Sequence, residues 1–550
     1  MPLYHTPGVY FEWLETPRAG IDMARTDIAG FVGIAARGPL HTAVKIESLT
    51  QFASTFGDRI PQGYLAYAVE GFFMNGGGRC WVVRVADPAT ARYAALDLTV
   101  AKASPPLQLT ASSPGAWANQ LLVAAQVVGT GLFNLRLSLP NGTQEFWANL
   151  SMSSSDPRFV EALLNDELAG SLLVRVGEAA RRAAGSPIAA NSDTTGLLGQ
   201  GTDGLASLDE THLSGEGAPG GAVWGIAALE PIREIAIVAA PDIMPKRVEP
   251  VRFKPAPPRC DVLDPDPGVP RPRPQPAPEY PLPLNVAGLQ NALIGHCEKL
   301  KDRVAILDSR REDQTTEQIK AWHDLLYPSR YAGLYYPWIM TPDPLALEGL
   351  LRAIPPSGHV AGVYARTEHE IGVHKPPANE RLQGAEDVTV SVDDNSHGLL
   401  NDAGVNVIRI FNGRQIRIGG ARTLAALSDT QWIYVNVRRL LIMIERSIDT
   451  ATQWTVFEPN SPGLWREVDR VVRGFLDRLW RRGFLDGARQ EEAYQVKCDL
   501  TTNPDWEIAN GRLTCEIGVL PPWPAEFVVV RIGRTASGIE NLNALEAQDG

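Results

Sequence analysis

The sequence predicts a mixed α/β (α+β) fold whose core is discontinuous, with a β-rich segment inserted into it. Three observations lead there. Short, uniformly apolar runs at residues 235–240, 304–308 and 332–338 are separated by helix-length segments, the texture of parallel strands covered on both faces. Between residues 89 and 230 the pattern changes to short apolar runs broken by Ser-Pro-Gly, Pro-Asn-Gly and Gly-Thr-Asp-Gly clusters, which is β-rich punctuation. Apolar, β-prone segments also stand near both ends, where chains are usually polar and frayed.

Composition bounds the function. At 550 residues the chain exceeds one compact core of roughly 150 residues several times over. Hydrophobic residues make up 44% and charged residues 21%, which is ordinary for a soluble globular protein. The net charge of −12 repels phosphate backbones, so general nucleic-acid binding is disfavoured. Five cysteines, an odd number with no C-x-x-C pair, do not form a secreted disulfide framework and point to folding in a reducing cytosol. Residues 1–13 lack the basic and apolar regions of a secretory signal, and no apolar run approaches the ~18 residues that cross a bilayer. A product acting outside the cell would leave by lysis or as part of a particle.

The elements follow in order. Val9, Phe11 and Trp13 share one face of an extended segment that includes Tyr10. Residues 28–35 predict a buried strand closed by Gly38-Pro39, residues 65–74 a helix stopped by Asn75-Gly76-Gly77-Gly78, and residues 80–85 a strand. One helix is expected within residues 157–169 of the β-rich stretch. Between Pro241 and Pro283, 15 of 43 residues are proline, which removes backbone donors and predicts an extended, solvated surface loop. Asn412-Gly413 between residues 405–411 and 414–418 signals a hairpin with a type I′ turn. Helices are expected over 437–450 and 464–480, then strands over 493–500 and 513–519, and a last one at Phe527, Val528, Val529, Val530, Arg531 and Ile532.

Catalytic chemistry finds little support. His369 and His374 stand five apart with Gly372 between, whereas a zinc-protease helix needs histidines at i and i+4 on one face. Residues 304–308 end in Asp308 like the Mg²⁺-holding strand of a P-loop NTPase, yet no G-x-x-x-x-G-K-[ST] exists to cradle a phosphate. Gly76-Gly77-Gly78 precedes a strand and lacks the helix N-terminus that binds anions. No catalytic, cofactor-binding or metal-ligating residue is assigned. The alternative to a structural protein is an α/β enzyme acting on a small acidic or phosphorylated substrate, with Asp242 or Asp308 at a strand end as its carboxylate.

Residues 464–480 have the three-and-four apolar spacing of a helix that buries one broad face, opened by Ser461 and Pro462. Up to Arg482 the segment holds Arg466, Arg470, Arg473, Arg478, Arg481 and Arg482 against Glu467, Asp469 and Asp477. Such a positive stripe on an acidic chain is either a solvated face or a docking surface for an acidic protein.

Several stretches stand out together: Thr6-Pro7-Gly8-Val9-Tyr10, Thr26-Asp27-Ile28-Ala29-Gly30-Phe31-Val32-Gly33, and Phe72-Phe73-Met74-Asn75-Gly76-Gly77 leading to Cys80-Trp81-Val82-Val83-Arg84-Val85. Further along stand Ser113-Pro114-Gly115-Ala116-Trp117-Ala118-Asn119, Gly201-Thr202-Asp203-Gly204, the Asn412-Gly413 hairpin with Gly419-Gly420-Ala421-Arg422-Thr423, and Trp432-Ile433-Tyr434-Val435-Asn436-Val437-Arg438-Arg439. In this order they resemble one family, the contractile tail sheath proteins of phages and contractile injection systems. The resemblance implies a non-enzymatic subunit that polymerises as stacked rings or a helix around an inner tube, meets baseplate and cap proteins, needs no cofactor, and contracts to drive the tube through a target envelope. Neither nucleic acid nor membrane insertion is expected, and assembly would be cytoplasmic, within a phage tail or tail-like particle. Val9, Tyr10, Phe11 and Trp13 would be the N-terminal linking strand, and Phe527, Val528, Val529, Val530 and Ile532 the C-terminal one, both exchanged between subunits. Arg466, Arg470 and Arg473 would mark the tube-facing helix. The implied organisation is a linker arm at 1–20, sheath core at 21–88, an inserted β-rich outer domain at 89–230, an α/β middle region at 231–400 with the proline-rich loop at 241–284, and a C-terminal core at 401–550. Phage tail and cellular injection system both remain open, the second favoured.

Overall fold

A computed structural model describes residues 20–100, 106–128, 132–177, 187–190, 193–244, 246–248, 253–254, 273–274, 279–281, 284–346, 350–411, 415–425 and 429–526. Its centre is an eight-stranded sheet made of β1 (Ala29–Gly33), β2 (Ala43–Ile46), β3 (Cys80–Arg84), β4 (Ile237–Ala239), β5 (Val304–Asp308), β6 (Ala332–Tyr336), β7 (Val405–Ile410) and β8 (Ile416–Ile418). The spatial order is β2-β3-β1-β4-β5-β6-β7-β8. The six strands from β3 to β7 run parallel, with Ala29 opposite both Cys80 and Ile237, Ala305 opposite Ala332, and Leu334 opposite Val405. Antiparallel β2 and β8 close the two edges. Every residue of β1, β4, β5 and β6 is buried, as the uniformly apolar runs require of strands covered on both faces.

Helices α1 (Leu65–Met74), α2 (Val286–Leu300), α3 (Thr316–His323) and α4 (Ser357–Glu370) belong to this layer. α1 and α4 touch backbone to backbone because glycine lines the contact. A Cβ on Gly358 would lie 2.3 Å from the Ala68 Cα, and one on Gly362 would lie 2.5 Å from the Phe72 carbonyl oxygen.

Between β3 and β4 the chain builds two four-stranded sheets from residues 95–197, with a separate apolar core around Leu109, Leu135 and Leu150. The helix expected over 157–169 is only Val160–Leu164, because the Asp166 carboxylate accepts from the Leu168 and Ala169 amides and turns the chain out of helix. A third core joins α5 (Val435–Thr452) and α6 (Pro462–Arg481) to a two-stranded antiparallel ladder, β9 (Tyr494–Lys497) with β10 (Glu516–Val519).

The β7–β8 hairpin exists, with Ile410 opposite Ile416 and Ile408 opposite Ile418; the type I′ turn expected at Asn412-Gly413 lies outside the described residues. One expectation changes in detail. The proline-rich stretch is not wholly loop: Lys246–Val248 pairs with Glu279–Pro281 and Phe253–Lys254 with Arg273–Pro274, both antiparallel. Isolated two-stranded pairs tolerate proline because one side of each strand has no neighbour. Residues 9–13 and 527–532 lie outside the described residues. Among the described residues no helix is long and apolar enough to cross a membrane.

Candidate assembly interface

The two carboxylates that an enzyme would need are spent inside the core. Asp242 is fully buried, and its oxygens accept from the amides of Ile34 at 2.7 Å, Tyr64 at 2.5 Å and Leu65 at 3.1 Å, so it caps the start of α1. Burial lifts its carboxyl to about 6, against the downward pull of those three amides. Asp308 accepts from the Ser357 amide at 2.9 Å, at the start of α4, and burial raises it to about 7. Neither lines the 1010 Å³ cavity bordered by Tyr67, Asp343, His359 and Arg381. His369 ends α4, while His374 packs on Phe484 at 4.2 Å. Among the described residues no three His, Cys, Asp or Glu side chains form a metal-binding group.

What the structure does assemble are two anchored segment roots. At the N-terminal side, Ile21 is buried in the third core, and its carbonyl accepts from Arg478 of α6 at 2.6 Å. The Ala24 amide donates to the Ser447 hydroxyl of α5 at 2.8 Å. Thr26 donates its amide and hydroxyl to Glu368 at 2.9 and 2.6 Å, and Arg439 reaches the same carboxylate at 2.7 Å. Three helices, α4, α5 and α6, therefore grip residues 21–26.

At the C-terminal side the chain leaves β10 through Pro521-Pro522-Trp523-Pro524, a stiff segment whose prolines restrict φ. Glu526 then enters a four-sided clasp. Its carboxylate accepts from Arg422 Nε and Nη2 at 3.0 and 2.6 Å, from Asn401 at 3.0 Å and from the Tyr434 hydroxyl at 3.0 Å. Burial favours the neutral acid, yet Arg422 and Asn401 hold the Glu526 carboxyl below its ordinary value. Arg422 is itself placed by buried Asn406 on β7, which accepts from the Arg422 amide at 2.6 Å and donates to its carbonyl at 2.8 Å.

α6 carries the arginine stripe. Trp465, Val468, Val472, Phe475, Leu476 and Leu479 are buried, as their spacing demands. Arg466 and Arg470 are exposed and make no ion pair among the described residues. Arg473 differs: it donates to Asp469 at 2.7 Å and to the Val496 carbonyl on β9, so it ties the helix to its own ladder. Arg478 serves the N-terminal root, and Arg481 pairs with Asp477 at 2.8 Å. The sequence singled out the helix but could not separate these tasks, and it held no local sign of the Glu526 clasp.

Comparison with known proteins completes the picture. Residues 285–424 match the phage tail sheath protein central domain, and residues 428–534 the phage tail sheath C-terminal domain. A prophage major tail sheath protein of Pseudomonas aeruginosa (strain UCBPP-PA14) is 25% identical over 241 residues, 43% of this chain and 58% of that protein. The tail sheath protein of Salmonella phage ViI is 24% identical over 274 residues, 47% of this chain and 42% of that protein. The chain thus spans about half the length of the curated relatives it matches. In fold, it resembles the sheath of the extracellular contractile injection system PVC in its contracted state, with TM-score 0.55, 18% identity, and 98% and 99% of the two chains covered. The contracted helical sheath of the anti-feeding prophage gives TM-score 0.55 at 21% identity, covering 97% and 100%. A crystal structure of a sheath tail protein from Desulfitobacterium hafniense gives TM-score 0.55 at 12% identity, covering 90% and 94%. The central and C-terminal domains of the phage tail sheath proteins are thus matched side by side and in that order, and the fold agrees with that of contractile sheath subunits.

Proposed function

We propose that this chain is the structural subunit of a contractile sheath that polymerises around an inner tube and contracts to drive it through a target envelope. The observation that carries the proposal is the pair of gripped segments: residues 21–26 and Glu526, at the two ends of the described chain, are each fastened to the folded body. Anchored bodies with extended extremities suit subunits that lend strands to one another, a heterologous contact that need not close and so builds helical assemblies. In this reading residues 9–13 and 527–532 are the lent strands, residues 89–230 are an inserted outer domain, and the body supplies 21–88, 231–400 and 401–526. Exposed Arg466 and Arg470 face an acidic inner tube, and baseplate and cap proteins bind the ends of the polymer. Assembly takes place in the cytoplasm, and no catalysis is involved.

The source of work is lattice energy. Burying about 500 Å² more apolar surface per subunit on contraction would release roughly 12 kcal/mol at ~25 cal/mol per Å². An extended lattice holding that energy is a kinetically trapped state, which interlocked strands between neighbours would preserve.

Negative-stain microscopy of the purified chain tests this: tubes or rings are expected, and deletion of residues 1–15 should leave soluble, unpolymerised subunits. Normal tubes after that deletion would overturn strand donation.

A further inference from the structure

The β9–β10 ladder brings together two cysteines that are 17 positions apart in the chain. Lys497 pairs with Glu516, so one step further along the same register Cys498 stands directly opposite Cys515. The Leu520 amide donates to the Ala493 carbonyl, which makes Ala493 opposite Leu520 a hydrogen-bonded pair. Pair types alternate along an antiparallel ladder, so the rows at Tyr494, Val496 and Cys498 are the non-hydrogen-bonded ones, where opposed Cα atoms lie closest, about 4.5 Å apart. That spacing falls inside the range a disulfide spans.

The side chains meet as well as the backbones. Each sulfur is the other's principal partner: the Cys515 thiol donates toward Cys498, which holds Cys498 below and Cys515 above the ordinary cysteine value. Cys498 is buried against the third core and Cys515 is half exposed, so one sulfur is reachable from solvent and the other stands behind it. Asn503 braces the neck of the intervening excursion, donating to the Thr514 carbonyl at 2.9 Å and accepting from the Thr514 amide at 2.7 Å. Cys80 and Cys297 are buried in the main core, away from this pair.

We infer that Cys498 and Cys515 form a redox site, a dithiol that closes to a disulfide when the protein meets a small-molecule disulfide oxidant. One of the two sulfurs attacks as the thiolate and displaces one thiolate from the oxidant, which takes up that cysteine's proton. The other cysteine then attacks the first sulfur of that mixed disulfide, and the second oxidant thiol departs with the second cysteine's proton. Two protein thiols and one oxidant disulfide thus become one protein disulfide and two small thiols. The product staples β9 to β10 and closes the 499–514 excursion at its neck. Because β10 leads into the Pro521-Pro522 segment and the Glu526 clasp, the staple stiffens the base of the C-terminal extremity.

The test uses the full-length protein, reduced, desalted and then exposed under native conditions to oxidised glutathione. Expected are a mass lower by two hydrogens, a denatured thiol count falling from five to three, and a tryptic peptide linking Cys498 to Cys515. The oxidised form should also unfold at a higher temperature than the reduced form, and Cys515→Ser, the milder variant at the half-exposed position, should abolish the mass change and the shift together. A thiol count that stays at five, stable glutathione adducts on the wild-type protein, or a linkage to another cysteine would overturn the inference. A disulfide that forms without raising the unfolding temperature would overturn the staple.

Discussion

Both the central sheet and the C-terminal helical unit bury charged groups, but to opposite ends. In the sheet, Asp242 and Asp308 turn inward and close the starts of α1 and α4, so each carboxylate locks one part of the rigid body to another. Where the folded body meets its end segments, Glu368 on α4 holds Thr26 and Glu526 is held by Arg422, while Arg466 and Arg470 of the C-terminal unit stand outside altogether. The first region spends charge on rigidity, and the second spends it on attachment. A sheath subunit would need both, since a polymer that rearranges must move at its links while its bodies keep their shape.

The sharpest way to break this contrast is at Asp242. Asp242→Ala strands three buried amides, and each unsatisfied group costs about 1–3 kcal/mol, so chemical denaturation should show a loss of about 3 kcal/mol or more. The same region predicts a pH signature. A carboxyl raised by burial binds its proton more tightly folded than unfolded, so its contribution is complete below 3.8 and is lost as pH rises through about 6 for Asp242 and about 7 for Asp308. Asp308→Asn should flatten the fall of the melting temperature between those limits; an unchanged slope would place the titration elsewhere.

A smaller effect is expected at the attachment points. Glu526→Gln keeps the shape but removes the charge that faces Arg422, costing about 1–2 kcal/mol locally. Hydrogen exchange should accelerate in residues 520–526 while α1 and α4 keep their protection; loss of protection throughout would mean that the clasp is part of the rigid body.

The smallest stability change belongs to the outermost charges. Reversing Arg466 and Arg470 to Glu should alter folding by no more than about 0.5 kcal/mol, yet weaken assembly on the inner tube in a salt-dependent way. Adding Arg473→Glu should cost stability as well, because Arg473 holds the Val496 carbonyl. Equal damage to self-polymerisation from the two-site variant would assign the stripe to contacts between copies.

Much of the body could be read directly from residue order. Val304–Asp308 and Leu65–Met74 have the predicted limits, because an uninterrupted apolar run and a glycine stop are local signals. The Asn412-Gly413 signal found the hairpin, whose strands β7 and β8 pair antiparallel, while its turn lies outside the described residues. The anchoring contacts were invisible for a plainer reason. Ala24 meets Ser447 across 423 positions, and Arg422 meets Glu526 across 104, and periodicity carries no information about partners so distant. Asp308 was noticed for its place at a strand end, but only the arrival of Ser357 reveals it as a helix cap.

Helix α5 has one more consequence. Tyr434, at its threshold, holds the C-terminal root through Glu526, while Ser447, three turns on, holds the N-terminal root through Ala24. The same rod therefore separates the two anchor points, by about 20 Å at 1.5 Å per residue. If subunits were linked through their ends, the distance between the two anchor points would be a count of helical residues, and adding or removing one turn of α5 would rescale that spacing without touching either anchor.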